Sequence, residues 1–305
     1  MAVRATISLT CRTPGSLPAR AGQSEILRNR IFALARTALV ALAIAFVPQG
    51  LWSALIVVNL RTSPTIPWAV GVMAVLLLVV ARYLAARRGP LRTSETRHRP
   101  PRATIVSQSL LKWSWLAGTC AVVALVGYWI ILASLVRMPG SVLPDLSAFP
   151  WWTAGLAVAA GAAISPLCEQ AGLWGYWQVA LERDYSGPTA VIVTAMVFAV
   201  LPHPPVHTAL WPKWIFFFLA GLTFSTMAYL TDSILPGLAV HGVALLMFFV
   251  IVWPYDPQRR LILEAGTDGW LWTHVAQAAI FSVLAGWAFR RLRQVSLENP
   301  ARGPV

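Results

Sequence analysis

Apolar runs of about 20 residues recur along most of the chain, and a helix of that length crosses a hydrocarbon core of about 30 Å. Lipid offers the backbone no hydrogen-bonding partners, so each run must satisfy its own peptide groups by coiling into a helix. Eight spans are read, at about 31–60, 67–87, 110–136, 150–183, 187–203, 213–231, 234–253 and 270–290. The expected fold is therefore all-α, a polytopic membrane helical bundle of about eight transmembrane helices. A composition that is 57% hydrophobic and only 11% charged agrees with it. Pro48, Gln49 and Gly50 interrupt the first span and mark a candidate kink.

The formal net charge of +13 does not call for nucleic acid, because the basic residues gather in the tails and one loop instead of on a folded soluble surface. The expected partner is the lipid bilayer. Arg4, Arg12, Arg20, Arg28 and Arg30 precede the first span, Arg87, Arg88, Arg92, Arg97, Arg99 and Arg102 separate the second from the third, and Arg290, Arg291 and Arg293 follow the eighth. Eight spans put all three segments on one side, which the positive-inside rule makes cytoplasmic, termini included. Trp151, Trp152, Trp211, Trp214, Trp253, Trp270 and Trp272 fall near span ends on the other side, as an aromatic belt does.

The chain thus divides into a basic tail (1–30), a two-helix front section (31–87), a basic flexible linker (88–109), a six-helix core (110–290) and a second basic tail (291–305). Residues 1–30 lack the continuous apolar core of a signal peptide. Cys11, Cys120 and Cys168 share no close spacing and are expected to be packing thiols. Small residues crowd Ala154 to Ser165, and Gly161 and Ser165 stand four apart on one face, which predicts close helix contact and a central place for span four.

One acid breaks the pattern. Every Asp and Glu except Glu169 can be placed in a loop, a tail or a span end, and an ionisable residue at the centre of a membrane helix costs roughly 2.5–3.5 kcal/mol on insertion scales. Such a residue faces a cavity or a partner. His203 and His241, on spans five and seven, are the candidate partners for acid–base or ligand chemistry. At a rise of about 1.5 Å per residue, Glu169 and His203 both lie roughly 20–25 Å along their helices and are expected to meet. His241, roughly 10 Å into its span, fits less well unless the turn at Asp232 and Ser233 dips into the protein. His203 and His207 stand four apart, but Pro204 and Pro205 argue against a two-histidine metal site on one continuous helix. His98 and His274 carry no functional expectation.

The order Glu169-Gln170-Ala171-Gly172-Leu173-Trp174, then Phe198 before His203, then His241, resembles the CPBP family of intramembrane proteases, which includes the type II CAAX prenyl endopeptidases and bacterial Abi-type proteins. The likeness spans about residues 160–250. The family pattern is EExxxR, FxxxH and HxxxN, and this chain departs from it. Gln170 stands for the second glutamate, Trp174 for the arginine and Leu245 for the asparagine, and Phe198 is five residues before His203 instead of four.

The resemblance implies an integral protein of the bacterial plasma membrane that hydrolyses a peptide bond in a membrane-associated peptide or protein. It also implies catalytic roles: Glu169 as general base for a water held with His203, and His241 as a stabiliser of the oxyanion. The family is described both as zinc-dependent and as metal-independent, so a Zn²⁺ ion on His203 and His241 stays open. Replacing a glutamate and an arginine together leaves no orphan ion. Leu245 is the graver change, since one lost oxyanion donor costs about 10²–10³ in rate, and Thr223, Ser225 or Thr226 are the candidate replacements. Two other readings stand beside the enzyme: a catalytically inactive relative that binds membrane partners, and a small proton-coupled transporter with Glu169 as its ion site.

Overall fold

The computed structural model describes residues 20–84, 102–136, 146–201, 211–252 and 261–298. Cys11, Arg87, Arg88, Arg92, Arg97, Arg99, His98, His203, His207 and Trp253 lie outside the described residues. Among the described residues all regular structure is helical: α1 (Arg20–Thr62), α2 (Trp68–Leu84), α3 (Gln108–Leu135), α4 (Trp151–Glu169), α5 (Gln178–Asp184), α6 (Gly187–Val200), α7 (Trp211–Thr231), α8 (Leu235–Met247), α9 (Ile262–Ala265) and α10 (Gly269–Leu297). A π-helical stretch, Gln170–Trp177, joins α4 to α5 without a break, and a second, Phe248–Val252, extends α8.

Among the described residues five helical runs are long and apolar enough to cross a membrane: Arg28–Thr62, Gln108–Leu135, Trp151–Asp184, Lys213–Thr231 and Gly269–Leu297. Shorter apolar helices at Trp68–Val79, Gly187–Val200 and Leu235–Val250 fall within the other three expected spans. The molecule is a polytopic helical membrane bundle, as the hydropathy predicts. Pro48 lies inside α1, which is helical on both sides of it. Polar side chains set several of the boundaries. Ser107, Ser186 and Asp268 accept hydrogen bonds from the backbone N–H groups of Leu110, Thr189 and Leu271, capping the starts of α3, α6 and α10.

Cross-links between helix ends show that neighbours alternate in direction. At one end the Trp152 indole donates to the Thr65 carbonyl (3.1 Å), joining the start of α4 to the α1–α2 turn. At the other end Ser296 donates to the Leu230 carbonyl (2.5 Å) and Ser233 to the Thr104 carbonyl (2.6 Å), joining α10, α7, α8 and the approach to α3. Consequently Arg102, Arg290, Arg291 and Arg293 all adjoin a single end of the bundle.

The most interior helix differs from the expectation. In its most apolar stretch α3 has 61% of its residues buried, against 33% for the α4–α5 run. The reason lies in α3's own small residues. A Cβ added at Gly127 meets the His274 carbonyl at 3.0 Å, and one at Gly118 meets Val240 at 3.0 Å, so α10 and α8 close in on opposite stretches of α3. The α4 helix instead lies between the front section and α8: Trp52 of α1 packs near Gly161, and Ala69 and Met73 of α2 join Ile164 and Cys168 in one apolar cluster. Cys120 and Cys168 are free, buried thiols, in line with a packing role.

Candidate active site

The site begins with a contact that only glycine permits. A Cβ at Gly172, in the π-helical stretch, collides with the Ala41 carbonyl and comes within 2.9 Å of the Ala45 backbone and side chain, so α1 lies directly against the end of α4. One turn beyond Ala45, α1 places Gln49 opposite Glu169. The Gln49 amide nitrogen donates to the Ala45 carbonyl (2.6 Å) and to Glu169 Oε1 (3.1 Å), which uses both of its hydrogens. The Ser165 hydroxyl, one turn before Glu169, lies 2.8 Å from Glu169 Oε1 and 2.8 Å from Gln49 Oε1, its single hydrogen facing two acceptors.

The second carboxylate oxygen faces the other way. Glu169 Oε2 stands 3.7 Å from His241 Nε2, with both side chains buried. The imidazole stacks on Phe224 with centroids 4.3 Å apart, and Trp174 and Phe198 meet it edge-on at 6.1 and 6.3 Å. Among the described residues no lysine or arginine contacts Glu169; its partners are an amide, a hydroxyl and an imidazole.

The structure therefore joins Glu169 to His241, the partner that the depth estimate favours less. The cause is the recessed α7–α8 turn. Ser233 and Ile234 are buried, and residue 234 takes its N–H to the Arg102 carbonyl (3.0 Å), so α8 starts inside the protein and its first two turns reach the level of Glu169. His203, the expected partner, lies outside the described residues. His274, without a functional expectation, sits on α10 with Nδ1 2.8 Å from Gln277 Oε1, away from this cluster.

The positions at which the chain departs from the family pattern are visible too. Trp174 is fully buried, and its indole nitrogen donates to Ser225 Oγ (2.7 Å), so an aromatic wall with one satisfied donor stands in place of a guanidinium. Gln170 is also fully buried and packs against Gly237, where an added Cβ meets its amide oxygen at 3.0 Å. Neither of its amide atoms has a hydrogen-bond partner among the described residues. The exchange thus leaves no orphan charge but does leave an unpaired amide, one turn of α8 from His241. Thr223, one of the candidate replacements for the missing asparagine, donates its hydroxyl to the Leu219 carbonyl (2.9 Å).

Three protein ligands are the usual complement of a catalytic zinc. Glu169 and His241 supply two, and among the described residues no third His, Cys, Asp or Glu joins them. What the described cluster can do is take a proton at Oε2 and offer or accept one at Nε2. Sequence reasoning missed Gln49 as a site residue. The signal was the polar break Pro48-Gln49-Gly50, read only as a kink.

No curated protein and no solved structure matches the chain. Residues 150–247, which run from the start of α4 to the end of α8 and carry Glu169, Gln170, Trp174 and His241, match the family of Rce1-like type II CAAX prenyl endopeptidases.

Proposed function

We propose that the protein is an intramembrane endopeptidase of the CAAX-protease type, hydrolysing a peptide bond in a membrane-associated substrate. The observation that carries the reading is the pairing of Glu169 Oε2 with His241 Nε2 at 3.7 Å, both side chains buried and the imidazole stacked on Phe224. That separation is longer than a hydrogen bond, and a water at roughly 2.8 Å from each atom would complete a triangle with them. Glu169 draws a proton from that water as its oxygen attacks the scissile carbonyl, and then returns the proton to the leaving amine. The His241 imidazole stabilises the oxyanion that develops on the carbonyl oxygen, in surroundings where each donor acts more strongly than in water. His203 takes its share in holding the water by the family resemblance alone.

The test is cleavage by the detergent-purified protein of a peptide library that includes farnesylated CAAX peptides, with bound zinc measured alongside. Glu169→Ala is expected to lower the rate by about 10³, in the range for loss of a general base. Parental cleavage by Glu169→Ala, or no cleavage of any peptide by the parent, overturns the reading. Leu245 favours a second one, an inactive relative that binds membrane partners, because leucine offers no donor one turn beyond His241. Biological activity that survives Glu169→Gln would support that second reading.

A further inference from the structure

Gln49 lies on α1, outside residues 150–247, yet it makes the longest-range contact of the catalytic carboxylate, 120 residues along the chain from Glu169. The orientation of its amide follows from its neighbours' chemistry. The group facing the Ala45 carbonyl and the carboxylate must be the donor, because the opposite placement would set an oxygen against two acceptors. The remaining amide oxygen then faces the Ser165 hydroxyl at 2.8 Å and shares its one hydrogen with Glu169 Oε1. Pro48 has no N–H to give the Ile44 carbonyl, and beside that break the Gln49 side-chain amide donates to the Ala45 carbonyl.

Both neutral donors converge on a single oxygen. Glu169 Oε1 receives Gln49 and Ser165, whereas Oε2 has His241 at 3.7 Å and no hydrogen bond among the described residues. A carboxylate free to rotate would present either oxygen; one held at Oε1 presents only Oε2.

We propose that Gln49 is a positioning residue for the reaction: by fixing Glu169 Oε1 from α1 it makes Oε2 the proton-accepting oxygen and aims it at the water beside His241. The inference rests on the proteolytic reading above, and it gives the front section a part in the site. Ser165 is the auxiliary of Gln49, because its one hydrogen is divided between the amide and the carboxylate.

Gln49→Met keeps the volume and the helix while removing the donor. In the full-length protein, assayed on the fastest-cleaved peptide of the library, kcat is expected to fall about 10- to 100-fold, the scale of a misaimed catalytic group, with KM unchanged within about threefold. Equilibrium binding of the same labelled peptide to Glu169→Ala and to the Glu169→Ala/Gln49→Met double variant is expected to agree within about twofold, since Gln49 acts on the base and not on the substrate. Should Gln49→Met not be recovered folded, Gln49→Asn, too short to span both acceptors, takes its place with the same kcat and KM readout. An unchanged kcat, or a rise confined to KM, overturns the inference while Glu169→Ala still tests the enzyme reading separately. If the parent cleaves nothing, the enzyme reading falls and the role of Gln49 falls with it.

Discussion

The continuous helical run from Trp151 to Asp184 carries a buried carboxylate, Glu169, and a half-buried one, Glu182, about three and a half turns apart, and the bundle treats them in opposite ways. Glu182 is held by a cation. The Arg102 guanidinium forms a two-pronged pair with it, with Nη1 3.1 Å from Oε1, and reaches Asp232 Oδ1 with Nε at 2.7 Å. Gln178 adds a donor at 2.8 Å, so both oxygens of Glu182 are occupied. Among the described residues Glu169 has only neutral donors and an imidazole, and one of its oxygens makes no hydrogen bond. A carboxylate that is fully paired has its charge fixed and its lone pairs spent, which suits a joint. One that is half-held keeps a lone pair for a proton, which suits chemistry.

Four substitutions break or sharpen that contrast. The largest effect is expected at Glu169→Gln, which keeps the shape and the Ser165 contact but removes the base: peptide cleavage falls about 10³-fold while the melting temperature in detergent stays within a few degrees. At the joint the outcome reverses. Arg102→Met leaves Glu182 and Asp232 without their shared cation and is expected to lower stability by about 3 kcal/mol, read as an earlier midpoint in denaturant unfolding, with kcat of the folded fraction within twofold of the parent. A loss of rate without loss of stability there would erase the distinction between the two carboxylates.

Gly172→Ala tests whether the half-held site depends on the close seat of α1. The new methyl group meets Ala45 at 2.9 Å and the Ala41 carbonyl more closely still, so a loss of about 2 kcal/mol and a fall in kcat are expected together. The smallest effect belongs to Gln170→Leu. Replacing an amide with no partner by an apolar group of similar size is expected to raise stability by about 1 kcal/mol, measured by the same unfolding midpoint.

Much of this was legible in the chain itself, for physical reasons. The eight apolar runs announce themselves because lipid forces each to be a helix, and an acid inside one of them stands out because little else in those runs is charged. The depth at which α8 starts was not legible. Hydropathy counts apolar residues, whereas α8 begins below a turn whose burial depends on the contacts of residues 102 and 104. Arg102 looked like one more charge in a basic linker, and Glu182 and Asp232 like ordinary span ends. Their pairing joins three parts of the chain that no local pattern connects. Gln49 was hidden for a similar reason: a neutral amide beside a proline reads as a break in a helix, and its partner is remote.

The recessed turn before α8 has a mechanical meaning. Ile234 N–H and the Ser233 hydroxyl grip the strand of backbone at 102 and 104, while the Thr104 hydroxyl grips the Asp232 carbonyl at 2.9 Å. Arg102 and Asp232 both adopt left-handed backbone angles (φ 44° and 50°) to make this knot. The helix bearing the imidazole is thus pinned at its root to the lead-in of α3, so it can neither slide along its axis nor twist about it unless that fastening is undone. The height of His241 relative to Glu169 is consequently set from the edge of the bundle, some two turns away, by groups that never touch either of them.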